Sequence, residues 1–300
     1  MTGGIVIILI YAIILFLGNR GERFKRHSNL GLTQEPPNHP DADPTDIVYN
    51  GTSNSIGPGE IEAILEKHYP YYNSLHPELR EKFLARTQTF IRKKNFIIKN
   101  GEGYREMPVL VSAAAIQLTF GLNDYLLPFY KYIRIYPSEY FGDGSFKVLA
   151  GNVKNNMITV AWNHFLKGNE DLTDGSNVGL HEMSHALYFQ KVVIDANYAR
   201  RFCRNYDDVL TACKEAYQTE IAGRKNLYSA YADTDLQEFW AESVEIFFEK
   251  PNELHLQYPA VYEAMKILLH QDPLNKIHPV LETTSFLPQK LARLLKYARV

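Results

Sequence analysis

Apolar and polar positions divide the chain into three parts. Residues 1–18 carry no charged side chain, and as a helix they would reach ~27 Å, close to the ~30 Å hydrocarbon thickness of a bilayer. Residues 19–59 are rich in Pro, Asn, Asp and Gly and show little apolar periodicity. From Glu60 onward, apolar residues recur at helical spacings. The pattern predicts a transmembrane helix at 1–18, a flexible tether at 19–59, a folded domain at 60–285 and a C-terminal tail at 286–300.

Most of the predicted domain is helical, and a few short segments have the composition of strands. A mostly apolar helix is predicted at 108–122, and strands are predicted at 132–136, 146–149 and 157–162. A small sheet packed against helices places the fold in the α+β class. The strand at 157–162 is also the predicted sheet edge, at which an extended peptide would bind by strand addition.

Charge and composition indicate where the protein is located and which classes of partner it binds. The net charge of -2 leaves no basic excess to follow a phosphate backbone, so no nucleic-acid partner is expected. Arg20, Arg23, Lys25 and Arg26 follow the apolar segment and no basic residue precedes it, so the positive-inside rule places the rest of the chain in the cytoplasm. A signal peptide would carry basic residues before its apolar run and small residues at its cleavage site. The N-terminal segment has neither, which favours a membrane anchor. Two cysteines are too few for a disulfide framework.

The segment NVGLHEMSHAL contains the pattern His-Glu-x-x-His at His181, Glu182 and His185. Four residues make slightly more than one helical turn, so the two imidazoles share one face and can bind one Zn²⁺. Glu182 lies beside that face, where it can act as general base for a metal-activated water. The sequence Asp-Gly-Ser at 174–176 is typical of a turn and an N-cap, which predicts that the motif begins a buried helix.

A catalytic zinc ion usually has three protein ligands, so a third donor is expected elsewhere in the chain. Glu238, Glu242 and Glu245 recur on one face of a predicted helix that is otherwise rich in aromatic residues. A solvated face would explain this stripe, and so would one metal ligand supported by neighbouring carboxylates. Spacing alone does not choose among the three glutamates.

The segments NVGLHEMSHAL, SAYADTDLQEFWAESVEIFF and LLHQDPL resemble the MtfA-like zinc peptidases, a family named for Mlc titration factor A, with an active site related to that of the anthrax lethal factor protease. Weaker likeness in LTFGLNDYLLPFYKYIRIYPSEYF and MITVAW extends the resemblance over about residues 60–279. The resemblance implies a zincin-like metallopeptidase domain. It also implies that Glu238, which opens the run EFWA, is the third metal ligand.

Further roles follow from the same resemblance. Tyr231 stands seven residues before Glu238, at the family's position for a hydroxyl that donates to the oxyanion of the tetrahedral intermediate. Glu242 and Glu245 are candidates for supporting the ligands. MtfA-like chains commonly continue the motif with Lys, Leu and Asp, whereas residues 186–188 here are Ala, Leu and Tyr, so a supporting aspartate is missing.

These observations predict a zinc-dependent peptidase that holds one Zn²⁺ per chain and hydrolyses a peptide or protein substrate. The N-terminal helix is predicted to anchor it in a membrane, with the catalytic domain in the cytoplasm. One alternative is a regulatory protein that binds and sequesters a partner such as a transcription factor, with little turnover. Another is a helical scaffold with structural zinc or no zinc. The intact Glu182 argues against pure sequestration.

Overall fold

The structure is a computed structural model that describes residues 46–50, 55–99, 105–142, 147–223, 227–229 and 236–274. Helices dominate this part of the chain and pack with a small main sheet, which confirms the predicted mixture of secondary structure. The predicted transmembrane helix at 1–18, most of the tether and the tail at 286–300 lie outside the described residues. No described helix is long and apolar enough to cross a membrane.

Seven short strands form two sheets. Their bounds are β1 Ile47–Tyr49, β2 Asn95–Ile98, β3 Tyr132–Tyr136, β4 Tyr140–Phe141, β5 Val148–Leu149, β6 Gly151–Lys154 and β7 Met157–Ala161. The main sheet has the order β1-β2-β3-β7-β6, while β4 and β5 pair separately. Strands β2, β3 and β7 are parallel, and β1 and β6 run antiparallel to their neighbours. The sheet thus includes β1, a piece of the segment predicted to be tether.

The prediction that 157–162 forms the sheet edge is wrong. Strand β7 pairs with β3 on one side and with β6 on the other, so its backbone is already hydrogen-bonded on both sides. The segment Gly151–Lys154 forms β6, and the chain then reverses into β7 at Asn155, whose positive φ of 52° suits a tight hairpin turn. Among the described strands, β6 is therefore the edge next to β7.

The helices are α1 Pro58–His68, α2 Pro70–Ser74, α3 Pro77–Lys93, α4 Glu106–Thr119, α5 Trp162–Glu170, α6 Val178–Tyr188, α7 Arg200–Ile221, α8 Leu236–Glu249, α9 Pro251–Gln257 and α10 Pro259–Leu269. A π-helical segment, Phe189–Ile194, continues α6. Proline occupies the first turn of α1, α2, α3, α9 and α10, where a missing amide hydrogen breaks no helical hydrogen bond.

Helix α4 forms the centre of the core. Its residues Met107 to Thr119 are all buried, which explains why the sequence there is apolar on every face. It corresponds to the helix predicted at 108–122, and it packs against α1, α3 and α6. Helix α6 in turn packs against α5, α8, β6 and β7. The His-Glu-x-x-His motif on α6 is therefore held between the sheet edge and α8.

Candidate metal centre

Asn177 begins the motif helix. Its side chain accepts a hydrogen bond from Leu180 N at 3.0 Å, so it is the N-cap, one residue after the 174–176 segment predicted for that role. Gly179 allows α6 to lie against α5, because a Cβ there would come within 2.6 Å of the Phe165 ring. Leu180, Met183 and Leu187 are buried and fix the rotation of the helix. That rotation turns the two histidines toward α8.

Three ligand atoms converge between α6 and α8. His181 Nε2 lies 3.2 Å from His185 Nε2, and Glu238 Oε2 lies 3.1 Å from the first and 3.4 Å from the second. Metal bonds of ~2.0 to 2.1 Å in a tetrahedron would separate ligand atoms by ~3.3 Å. The three observed separations match this spacing. The structure thus brings together the three residues predicted as ligands, and among the described residues they are the group that could hold a metal ion.

The charges of this cluster also suit a cation. Burial raises the pKa of Glu238, but the hydrogen bonds from His181 and His185 outweigh it and hold that pKa at about 2. Burial lowers the pKa of His181, but Glu238 and Glu245 outweigh it and raise that pKa well above its usual range. In the metal-free protein a proton on His181 supplies positive charge beside this carboxylate, and a bound cation would replace that proton. Two imidazoles and one carboxylate form a donor set typical of catalytic zinc.

Glu182 lies at the junction of the metal cluster and the sheet edge. Its side chain is buried, and a Cβ on Gly151 of β6 would come within 2.3 Å of its Oε1. Glycine is therefore required at 151 for the Glu182 carboxylate to occupy its position. Burial raises the pKa of Glu182, and the histidines oppose this effect only in part. A carboxylate with a raised pKa is a stronger base once ionised.

The other acids of α8 have different partners. Glu245 Oε1 lies 2.7 Å from His181 Nδ1 and its Oε2 accepts from the backbone amide of Asn177. This contact directs the Nδ1 hydrogen toward Glu245 and leaves Nε2 for a metal. Glu242 instead accepts hydrogen bonds from the amide and the hydroxyl of Ser229. The three glutamates of α8, which sequence spacing could not tell apart, thus have different contacts. Glu238 faces both histidines, Glu245 contacts His181, and Glu242 contacts Ser229.

Two positions in this site were missed by sequence reasoning. Asn177 joins the start of the motif helix to α8, because its Nδ2 also donates to Glu249 Oε1 at 3.1 Å. Its signal was its place immediately before the first apolar residue of the helix. Gly151 had no comparable signal, since its role depends on strand pairing. Tyr231 lies outside the described residues, and its oxyanion role stays a prediction.

Comparison with known proteins gives a family. The model of the glucose-regulated metallo-peptidase M90 family matches residues 51–269. The chain belongs to this family. The match to M90 spans strands β2 to β7, the motif helix α6 and the acidic helix α8, so it includes every described residue of the metal cluster. It also confirms the resemblance to MtfA-like proteins inferred from the sequence motifs.

Individual relatives are similar over most of their length. An uncharacterized protein of Synechocystis sp. is 26% identical over 237 residues, which cover 72% of this chain and 86% of the relative. Mlc titration factor A of Escherichia coli O7:K1 is 24% identical over 236 residues, which cover 72% of this chain and 88% of the relative. The same protein of Escherichia coli O127:H6 is 23% identical over the same length.

Proposed function

We propose that this M90-family chain is a zinc-dependent peptidase in which His181, His185 and Glu238 bind one Zn²⁺ per chain. The observation that supports this most directly is the triangle of three ligand atoms with separations of 3.1, 3.2 and 3.4 Å beside a buried glutamate. A bound zinc ion would act as a Lewis acid on the scissile carbonyl and increase the acidity of water.

Glu182 is the general base in this proposal. Its carboxylate accepts a proton from the attacking water and then delivers that proton to the amide nitrogen as the C–N bond breaks. The burial that raises its pKa strengthens the ionised carboxylate as a base. Gly151 leaves the space that this carboxylate occupies. Glu245 fixes the ring of His181 and thereby keeps Nε2 directed at the cluster.

The peptide would lie along strand β6. Among the described strands, β6 is paired on the β7 side only, so its other backbone edge can accept an extended chain by strand addition. Gly151, the first residue of β6, also contacts Glu182. A peptide hydrogen-bonded to β6 would therefore pass the general base. The role first predicted for 157–162 moves to the neighbouring strand for this reason.

Tyr231 completes the proposed site as a donor to the oxyanion. The support is its spacing before Glu238 and the position of Ser229, whose amide and hydroxyl are held by Glu242 on the same helix.

A cleavage screen tests the proposal. The full chain, loaded with zinc, is incubated with a peptide library, and products are identified by mass spectrometry. We expect cleavage by the wild type, loss of at least about 1,000-fold in kcat for Glu182→Gln, and full activity for Glu253→Gln, an exposed acid on α9. Removing the metal with a chelator should abolish cleavage and added zinc should restore it. Equal cleavage by wild type and Glu182→Gln would refute the assigned base.

A second candidate function is regulatory. Two relatives bear the name Mlc titration factor A, which suggests binding and sequestration of a partner protein such as a transcription factor. Sequestration requires no general base, so the Glu182→Gln variant should then retain full biological activity. The peptidase proposal requires that this variant lose turnover while it still binds zinc.

The location is proposed from the N-terminal sequence. Residues 1–18 would anchor the chain in a membrane, and the basic residues from Arg20 to Arg26 would keep the catalytic domain in the cytoplasm. Alkaline carbonate extraction of membranes tests the anchor: the full chain should stay in the pellet, and a chain beginning at residue 42 should not. Release of the full chain would contradict it.

A further inference from the structure

A cavity of about 280 Å³ lies at the start of the motif helix, where Asn177 is part of its lining. Its lining includes Tyr69, Tyr71, Phe248, Asn169, Asn177 and Glu249. Its mouth is open to solvent, because Pro70 and Ser74 in the lining are exposed. The peptidase proposal gives this cavity no role.

Most polar groups around the cavity already have partners. The Tyr69 hydroxyl donates to Gln117 Oε1 at 2.6 Å, and the Asn169 amide nitrogen donates to the carbonyl of His68. Glu249 Oε1 accepts from Asn177 Nδ2. Glu249 Oε2 differs, because it is buried and lacks a hydrogen-bond partner among the described residues, although the backbone amide of Gly175 also interacts with this carboxylate. A buried carboxylate oxygen without a donor is costly to ionise, so a donor that enters the cavity would stabilise the ionised form.

The surroundings of this oxygen favour a cationic donor. Three aromatic residues, Tyr69, Tyr71 and Phe248, are part of the lining, and aromatic rings attract ammonium groups. Lys, Arg and His are absent from the described residues that line it, so no side chain there neutralises a carboxylate. Burial, together with smaller effects of the Glu245 and Asp174 charges, raises the pKa of Glu249 to about 8, so this acid is largely neutral at pH 7 and ionises when a cation pairs with it.

We propose that this cavity binds a small organic ammonium group, which donates a charge-assisted hydrogen bond to Glu249 Oε2. Size restricts the ligand, because 280 Å³ is just below the ~300 to 1,000 Å³ of sites for drug-sized molecules. A primary amine on a short alkyl chain fits, whether it is a free amine or a lysine side chain of a peptide. This site does not depend on the peptidase proposal, since binding is measured without cleavage.

The test is a calorimetric titration of the full chain with butylammonium chloride. We expect saturable binding that releases a proton, because Glu249 must ionise to pair with the cation. Neither n-butanol, which has no charge, nor potassium chloride, whose cation has no alkyl chain, should compete with butylammonium for the cavity. Titration with a lysine-containing peptide and with the free amine then distinguishes the two sources.

Glu249→Gln should weaken butylammonium binding by about tenfold or more, because the amide cannot pair with the charge although it can still accept from Asn177. Glu253→Gln on α9 is the matched control, an exposed acid four residues later, and should change binding by less than twofold. Equal binding to wild type and Glu249→Gln would overturn the proposal. So would equal affinity for butylammonium and n-butanol in the wild type, or no binding of the amine at millimolar concentrations.

Discussion

Replacing Glu245 by Gln perturbs the metal centre without touching a proposed ligand. The Glu245 carboxylate accepts two hydrogen bonds, from His181 Nδ1 at one oxygen and from the Asn177 amide at the other. Glutamine has one acceptor oxygen, so one of these buried donors must face an NH₂ group. Leaving a buried donor unsatisfied costs about 1 to 3 kcal/mol.

The loss should appear in metal affinity as well as in stability. If the Asn177 amide keeps the acceptor, the His181 ring is no longer oriented, and altered partners of a ligating histidine typically weaken metal binding by roughly 10- to 100-fold. Zinc affinity is measured by competition with a chromophoric chelator. The free energy of unfolding of the metal-free protein is measured by urea denaturation. We expect both quantities to fall in Glu245→Gln.

Glu242→Gln is the matched control. Glu242 lies on the same helix, is similarly buried at 8% exposure against 5% for Glu245, and also accepts two hydrogen bonds, but from Ser229. The Glu242→Gln variant should lose about as much stability as Glu245→Gln does, and should keep its zinc affinity within about twofold. If both variants weaken zinc binding equally, general destabilisation explains the effect and the assigned contact to His181 has no specific role.

Three further predictions concern other sites. Gly151→Ala should lower kcat by about 10-fold or more with zinc retained, because its Cβ would displace the Glu182 carboxylate, and unchanged peptide kinetics would contradict this. Tyr231→Phe should lower kcat by about 100-fold with little change in KM, and an unaltered kcat would remove its oxyanion role. Burial lowers the pKa of Lys94 to about 7, so above that pH the unfolded chain binds more protons than the folded chain does. Urea denaturation should therefore show that the free energy of unfolding rises from about pH 7 to 10, by at most about 1.4 kcal/mol per pH unit. The Lys94→Met variant should lose this rise.

Local sequence patterns were sufficient for the motif helix and its two histidines, whereas the choice of Glu238 as third ligand rested on the resemblance to MtfA-like peptidases. The spacing of His181 and His185 requires only one helical turn, and the apolar residues around them predict the buried helix that is observed as α6. Strand β3 was likewise predicted at its observed bounds, 132–136. These features are determined by residues within a few positions of one another, so a local pattern in the sequence is enough to predict them.

Features that depend on distant pairing were missed. Strand β6 has a polar sequence typical of a loop, and only its hairpin with β7 makes it the edge beside Glu182. Strand β1 lies in a segment whose composition predicts a tether, and it is ordered by pairing with β2. Asn177 acquires its role through contacts with α8, nearly seventy residues later in the chain. Periodicity within one segment contains no information on these contacts.

The most direct test of the account is the zinc environment in the purified full chain. X-ray absorption spectroscopy at the zinc edge, together with metal analysis, should show one zinc per chain with two imidazole nitrogens and light oxygen donors at ~2.0 to 2.1 Å. Glu238→Gln should lower the zinc affinity and alter this spectrum. A spectrum with sulfur ligands, or zinc that is bound equally well after His181 and His185 are both replaced by Ala, would contradict the proposed centre.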